Sequence, residues 1–183
     1  MPDPAGRYPS VTQIIGPFAD FGAVHPDVLA AAADRGTRVH AACATLAEGL
    51  WLPKPDQDCQ GYVDSFQGWF ERAIAEVVAV ERRLYDEALG FCGQLDLLVL
   101  IQGDSKPTLV DLKTPAVKNR LWAMQLAAYR HLALVNGLSV ERIASLRLKK
   151  DGGTPIVDEY TSNPNDFAAF ASALNVWRYL AAA

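Results

Sequence analysis

Five short runs of β-forming residues constrain the fold of this chain more than any other feature. Each run is rich in Val, Leu or Ile, and turn residues such as Gly90 and Gly103 separate neighbouring runs. This pattern is typical of buried or half-buried strands. The runs cover residues 77–81, 93–101, 108–113, 142–150 and 155–161. The sequence therefore predicts a β-sheet in the middle of the fold.

Helical patterns lie on both sides of these runs. Val39, Cys43, Leu46 and Leu50 recur at spacings of four, three and four, which places them on one helical face. This first helix is predicted to be either continuous or broken near Gly36. The predicted helices cover residues 26–50, 62–74, 119–136 and 166–180. Helices flanking a mixed central β-sheet give a fold of the α/β or α+β class.

Length and composition favour one domain. At 183 residues, half of them hydrophobic, the chain can bury one core, so residues 1–183 are predicted to form a single domain. Residues 1–25 are rich in Pro and Gly and predict an extended N-terminal lead-in. The sequence has no apolar run of membrane length and no basic-then-apolar N-terminus, which predicts a soluble, cytoplasmic protein without membrane contact.

Several classes of function are disfavoured by the residues that the sequence lacks. Its three cysteines are too few and too widely spaced for an iron–sulfur cluster, so they are predicted to be reduced thiols. No Walker sequence is present, which excludes an ATP-driven motor in this chain. The formal net charge of −4 argues against a non-specific nucleic-acid coat protein.

Two carboxylates interrupt the apolar strands. Asp96 lies in the second β-rich run and Asp111 in the third. An ionised carboxylate is costly to bury unless it is paired or bound to a cation. Mg²⁺ and Mn²⁺ prefer carboxylate oxygens and keep positions open for water and a phosphate. The pattern therefore predicts that both residues are ligands of a divalent metal ion.

Strand geometry places Lys113 beside this predicted metal site. Residues i and i+2 point to the same face, so Asp111 and Lys113 project together, and Leu112 offers its backbone carbonyl at the same point. An amine in this position can orient or deprotonate an attacking water and stabilise charge on a phosphate. A salt pair on a surface strand is the alternative interpretation.

Four motifs occur in order along the chain. They are residues 35–40 (RGTRVH), 93–96 (GQLD), 110–114 (VDLKT) and 125–129 (QLAAY). In this order the sequence resembles the PD-(D/E)XK nuclease superfamily, in particular its RecB-like and viral exonuclease branch. Leu95 replaces the proline that names the superfamily, and the acid before the lysine is Asp111 rather than Glu. The resemblance implies a restriction-endonuclease-like core.

The resemblance also implies a role for individual residues. It assigns metal binding to His40, Asp96, Asp111 and the backbone carbonyl of Leu112. It assigns catalysis to Asp96, Asp111 and Lys113, with Gln125 and Tyr129 lining the site. Glu81 lies on the strand before Asp96 and is a candidate for holding a second metal ion or orienting water, with an ordinary exposed glutamate as the alternative.

Basic and aromatic residues near these motifs are candidate DNA contacts. Lys118 and Arg120 follow the third motif, and Lys149 and Lys150 end a late strand, where all four can meet phosphates. Trp122 lies next to the fourth motif and is a candidate for stacking on a base. The alternative is that these residues are ordinary solvated or core side chains.

The resemblance implies a Mg²⁺- or Mn²⁺-dependent deoxyribonuclease, in particular an exonuclease of DNA recombination, repair or phage DNA processing. A structure- or site-specific endonuclease on the same core and a catalytically idle DNA-binding protein are the alternatives. The implied partners are DNA and a separate recombination or single-strand annealing protein, in the cytoplasm of a bacterium or phage-infected host. The oligomeric state stays open, since some related viral exonucleases are ring-shaped trimers.

Overall fold

Helices pack on one β-sheet in the computed structural model, which describes residues 8–19, 22, 24–161 and 163–181. The helices are α1 Val11–Ile15, α2 Pro26–Ala47, α3 Gln57–Ala73, α4 Leu121–Val135 and α5 Asn163–Ala181. The strands are β1 Ile74–Asp86, β2 Phe91–Ile101, β3 Thr108–Lys113, β4 Arg142–Arg147 and β5 Ile156–Glu159. Among the described residues, no helix combines the length and apolar character that crossing a membrane requires.

The five strands lie in the sheet in chain order, β1-β2-β3-β4-β5. Every neighbouring pair is antiparallel except β3 and β4, which are parallel and are connected through α4. A parallel pair requires such a crossover, because the chain must return to the same end of the sheet. The predicted mixed central sheet of the α/β class is confirmed.

Two hydrophobic cores cover the two faces of the sheet. The first, which includes Leu95 and Phe170, packs the sheet against α1, α4 and α5, and the second, which includes Phe66 and Leu97, packs it against α2 and α3. Fully burying side chains of this size contributes about 1.5–3 kcal/mol each. Asp96 lies between Leu95, which belongs to the first core, and Leu97, which belongs to the second.

The described part of the N-terminal region is not the extended lead-in that the sequence predicts. Residues 11–15 form α1, and Gly16–Phe18 add a 3-10 turn. The Ser10 hydroxyl accepts from the Gln13 backbone and the Gln13 side chain accepts from the Ser10 backbone, a reciprocal cap that starts the helix despite its short length. The remainder of the predicted lead-in, residues 1–7, 20, 21 and 23, lies outside the described residues.

The first long helix is continuous. Helix α2 passes through Gly36 without a break, because the alanines and other helix-forming residues around it offset the cost of one glycine, about 1 kcal/mol. Its buried positions include Val39 and Cys43, as the periodicity predicts. The neighbouring residue His40 is only half-buried. The helix therefore brings an imidazole to the margin of the core.

Candidate active site

Asp96 and Asp111 lie beside each other on β2 and β3, and the fold shields both from solvent. The register that pairs Leu97 with Val110 places them at the same level of the sheet. Asp96 is 9% exposed and Asp111 is 2% exposed. The Leu112 N–H donates to Asp96 Oδ2 at 2.7 Å, which fixes that carboxylate against β3. Two neighbouring buried carboxylates repel each other, so this arrangement requires cations close by.

His40 and Glu81 complete a group of potential metal ligands around Asp96. His40 Nδ1, from α2, lies 3.4 Å from Asp96 Oδ1. One ligand atom from each of His40, Glu81 and Asp96 lies within 4.8 Å of the other two. The structure does not bring Asp111 into this group of three. The predicted side-chain ligands thus divide into three residues that can hold one ion and a further carboxylate, Asp111, beside them.

Lys113 is held between Asp111 and helix α4. Its ammonium lies 2.5 Å from Asp111 Oδ2 and donates to Gln125 Oε1 at 2.8 Å. The Gln125 Nε2 group in turn donates to the Tyr129 hydroxyl at 3.1 Å. Gln125 and Tyr129 are one helical turn apart, the spacing at which side chains on one face meet. The helix therefore fixes the direction in which the Lys113 amine points.

Close packing of α4 on β2 holds this chain of hydrogen bonds in place. A Cβ atom added at Gly93 would lie 2.7 Å from a ring carbon of Tyr129, so glycine is required for the tyrosine to approach the strand. On the other side, the Lys113 ammonium lies 5.5 Å from the centre of the Trp122 ring. That distance is within the range of a cation–π interaction.

Glu81 adopts a strained backbone conformation at the point where β1 passes the site. Among the described residues it is the one non-glycine position with a positive φ, at 45°. Such a conformation costs about 1–3 kcal/mol and persists only where its surroundings enforce it. The Gln94 amide donates to the Glu81 carboxylate across the strand pair and holds it beside Asp96. Strain of this kind is concentrated at functional sites.

The charged groups shift one another's pKa values. Burial opposes protonation of His40, but the charge and hydrogen bond of Asp96, with the charge of Asp111, raise its pKa to about 9. Burial also opposes ionisation of Asp96, yet His40, the Leu112 N–H and Lys113 together lower its pKa. For Asp111, burial raises the pKa, Lys113 lowers it, and Asp96 raises it again, so the net shift is upward. Burial therefore makes Asp111 harder to ionise than Asp96.

A divalent metal ion fits this set of side chains. The three ligand groups provide one imidazole nitrogen and carboxylate oxygens, which are ordinary donors to divalent ions. Asp111 Oδ2 is shielded from solvent, and the Lys113 ammonium lies 2.5 Å from it. Asp111 adds a second buried carboxylate beside Asp96, and a further cation relieves the repulsion between the two. His40, Glu81 and Asp96 are therefore the residues that can hold the ion, with Asp111 next to them.

Comparison with known proteins identifies the family of this chain. A family model of the PD-(D/E)XK nuclease superfamily matches residues 25–177. The chain belongs to this superfamily. A search of curated proteins found no match. Membership of the PD-(D/E)XK superfamily implies a nuclease, that is, a hydrolase that uses divalent metal ions and acts on DNA.

Two predicted DNA contacts of this PD-(D/E)XK nuclease interact with other side chains of the protein. Lys118 lies 3.3 Å from Asp158 Oδ1 and 4.5 Å from the centre of the Tyr160 ring. Trp122 is only 8% exposed, because its ring packs under Lys113. Stacking on a base therefore requires a rearrangement of Trp122 that its packing disfavours.

The other three predicted contacts remain accessible to different degrees. Arg120 is exposed immediately before α4, and Lys150 is exposed after β4. Lys149 is half-buried, and its N–H donates to the Ser65 hydroxyl at 3.0 Å. Their side chains have no ion pair among the described residues.

The active-site cleft of the nuclease also contains residues that the motifs do not indicate. A cleft of about 360 Å³ reaches from Asp111 and Lys113 to three such side chains, which are Ser10, Thr12 and Arg83. Arg83 follows Glu81 at a spacing of two on one strand, a signal that alternation could have provided. No local pattern connects residues 10–12 with the site. A β-bridge between Ser10 and Cys92 attaches this segment to β2 beside the site.

Proposed function

We propose that this PD-(D/E)XK nuclease is a Mg²⁺- or Mn²⁺-dependent deoxyribonuclease, and specifically an exonuclease. The observation that carries the proposal is the pair of buried carboxylates, with His40 and Glu81 beside Asp96 and Lys113 beside Asp111, at one cleft. A structural salt pair does not need a second buried acid, an imidazole and an open cleft. Phosphodiester hydrolysis uses all of them.

The ligands and the lysine have separate tasks in the proposed reaction. His40, Glu81, Asp96, Asp111 and the Leu112 carbonyl are the proposed metal ligands. A bound divalent ion supplies positive charge to the phosphate and increases the acidity of water in the site. The charge on Asp96 and Asp111 is what draws the cation into a buried position.

Lys113 is the proposed catalytic residue that acts on water and on the phosphate. Its ammonium can orient the attacking water and stabilise the negative charge that develops on the phosphate oxygens. Gln125 accepts a hydrogen bond from that ammonium and Tyr129 steadies Gln125, so both are proposed to keep the amine aimed into the cleft. Burial raises the pKa of the Tyr129 hydroxyl, which therefore acts as a neutral hydrogen-bonding group.

The choice between Mg²⁺ and Mn²⁺ depends on His40. Mg²⁺ binds oxygen ligands almost exclusively, whereas imidazole nitrogen suits later transition metals, and Mn²⁺ binds more tightly than Mg²⁺ to mixed sets. A ligand group that includes His40 beside Glu81 and Asp96 therefore favours Mn²⁺. We propose that both ions support cleavage and that Mn²⁺ does so at lower concentration.

The exonuclease assignment rests on the order of the four motifs, which resembles the RecB-like and viral exonuclease branch. In that setting the chain acts in DNA recombination, repair or phage DNA processing, beside a separate recombination or single-strand annealing protein. Arg120, Lys149 and Lys150 are proposed DNA-backbone contacts because they are exposed or half-buried and their side chains form no ion pair with any described residue. Lys118 can join them only by leaving Asp158.

The test is cleavage of linear duplex, nicked circular and single-stranded DNA with Mg²⁺ or Mn²⁺. Wild type is compared with Asp111→Ala, Lys113→Ala and the control Lys106→Ala, an exposed lysine on the turn before β3. We expect linear DNA to be degraded from its ends by wild type and by the control, and both active-site variants to be inactive while their thermal unfolding stays cooperative.

Two results would contradict the proposal in different ways. Cutting of covalently closed circles as fast as linear DNA would replace the exonuclease with an endonuclease on the same core. Equal inactivity of wild type and of both variants on every substrate and with each metal would leave a DNA-binding protein without catalysis.

A further inference from the structure

The cleft extends beyond the catalytic residues to an arginine and two hydroxyls at one end. Ser10 and Thr12, from the start of α1, and Arg83, from β1, line it together with Asp111 and Lys113. A second cavity of about 510 Å³ adjoins the first and shares His40, Glu81 and Gln94 with it. The metal ligands therefore lie in the middle of a longer groove, and Arg83 lies toward one end of it.

Arg83 differs from the other cations of this cleft in its partners. His40 lies 3.4 Å from Asp96, and Lys113 lies 2.5 Å from Asp111. Arg83 is exposed, and no carboxylate of the described residues forms an ion pair with it. Its guanidinium lies 3.5 Å from the sulfur of Cys92 and 5.9 Å from the centre of the Tyr85 ring. A thiol and an aromatic ring do not use all the N–H donors of a guanidinium, and the remaining donors are suited to a phosphate group.

The two hydroxyls add a donor beside this arginine in the cleft. Ser10 Oγ and Thr12 Oγ1 lie 3.1 Å apart and share one hydrogen bond, and Ser10 Oγ also accepts from the Gln13 N–H. One of the two hydroxyl protons is used in the shared bond, so the other remains available for an external acceptor. The N–H of Cys92 donates to the Pro9 carbonyl at 3.0 Å, which fastens this segment to β2.

We propose that Arg83, Thr12 and Ser10 form a subsite for a DNA phosphate next to the phosphate that is cleaved. The inference rests on the proposed nuclease function and adds the direction in which the strand leaves the metal site. The subsite takes either an internal phosphodiester or a terminal phosphate, since both present anionic oxygens to the same donors. Phosphate contacts of this kind set the register of a strand on the protein.

The test compares Arg83→Ala with Arg82→Ala, its matched control. Arg82 is also exposed, but it lines neither cavity and alternates to the other side of the strand. DNA binding is measured by fluorescence anisotropy in Ca²⁺ over a range of salt concentrations, after a gel shows that the DNA stays intact. We expect Arg83→Ala to weaken binding about tenfold and Thr12→Val about threefold. Arg83→Ala should also reduce, by about one, the slope of the logarithm of the DNA association constant against the logarithm of the salt concentration. Arg82→Ala should change neither the affinity nor this slope.

Duplexes with a 5′-hydroxyl or a 5′-phosphate separate the two sources of phosphate. A loss confined to phosphorylated ends identifies a terminal phosphate, and an equal loss on both identifies an internal phosphodiester; either result supports the subsite. Equal affinities and equal salt slopes for Arg83→Ala and Arg82→Ala, on a wild type that cleaves DNA, would overturn the subsite alone. A wild type that neither binds nor cleaves DNA would instead refute the nuclease function on which it rests.

Discussion

The chain places a buried aspartate against a histidine in two separate regions. At the distal pair, Asp86 Oδ2 lies 2.6 Å from His131 Nε2, and at the candidate active site, Asp96 Oδ1 lies 3.4 Å from His40 Nδ1. The Leu89 N–H donates to the other oxygen of Asp86 at 2.8 Å, so both of its carboxylate oxygens have a partner. Asp96 instead shares its surroundings with two more carboxylates, Asp111 and Glu81.

The contrast shows which property separates a structural pair from a functional one. The ring of His131 stacks on Phe167, with centroids 4.3 Å apart, inside a cluster that also contains Phe91. Nothing there requires a further ion, because one acid faces one base and a backbone donor. In the cleft, three carboxylates, those of Asp96, Asp111 and Glu81, line the same cavity. Burial of an aspartate next to a histidine is therefore a weak signal of function, whereas several carboxylates lining one cleft are a strong one.

Matched truncations of the two acids give the largest expected difference. Asp111→Ala should lower the rate of DNA cleavage about a thousandfold or more, because it removes a proposed ligand of the metal ion that stabilises charge on the reacting phosphate. Asp86→Ala should leave cleavage within about twofold and lower the free energy of unfolding by about 1–3 kcal/mol, since the Leu89 N–H and His131 lose their acceptor. Cleavage assays and urea unfolding of both variants measure these effects. A folded Asp86→Ala protein as inactive as Asp111→Ala would remove the distinction between the two regions.

Metal removal should affect one region and not the other. A ligand that binds only the folded state stabilises it by about 2.7 kcal/mol at a hundred times its Kd. Mn²⁺ should therefore raise the Tm of wild type and of Asp86→Ala, and EDTA should reverse the increase. Asp96→Ala should show no increase at the same Mn²⁺ concentration, because it removes the carboxylate that His40 and Glu81 share. An equal Mn²⁺ effect in Asp96→Ala would place the ion elsewhere.

The hydrogen bonds behind Lys113 should have a smaller effect on cleavage. Gln125→Leu removes the acceptor of the Lys113 ammonium and should lower kcat about tenfold, and Tyr129→Phe should lower it about threefold, because its hydroxyl acts only through Gln125. KM should stay unchanged in both, since neither group is proposed to bind DNA directly. Gln125→Glu restores an acceptor and should recover part of the rate. A large rise in KM with unchanged kcat would identify Gln125 as a DNA contact instead.

Most of the active site could be predicted from the sequence because its spacing is local. The alternation of a strand puts Lys113 beside Asp111, and the period of a helix puts Gln125 beside Tyr129, and the structure shows both pairs joined in one chain of contacts. The apolar runs on either side of Asp96 likewise predicted its burial, which is confirmed.

The remaining features depend on contacts between distant parts of the chain. The bridge from Ser10 to Cys92, the ion pair from Lys118 to Asp158 and the positive φ of Glu81 leave no periodic signal. Proline and glycine near the N-terminus favoured an extended segment, but the reciprocal cap between Ser10 and Gln13 makes residues 11–15 helical. Capping depends on residues close together in the sequence, so this short helix could have been predicted. The position of the segment at the cleft could not, because it depends on contacts with a distant strand.

Lowering the pH should remove the contribution of the distal pair, Asp86 and His131, to the free energy of unfolding, which is a small change. Burial raises the pKa of Asp86, but hydrogen bonds from the Leu89 backbone and His131 outweigh it, and the net pKa is lowered. A carboxyl group that ionises more readily when folded stabilises the protein above its unfolded pKa of about 3.9, and the contribution disappears as the pH falls through the folded pKa. The unfolding free energies of wild type and Asp86→Asn should therefore converge as the pH is lowered from 5 to 3.

Glu87→Gln, a change at the exposed neighbouring residue, should keep the acid dependence of wild type. If the difference in unfolding free energy between wild type and Asp86→Asn stayed constant over this pH range, Asp86 would stabilise the fold through packing and not through its charge.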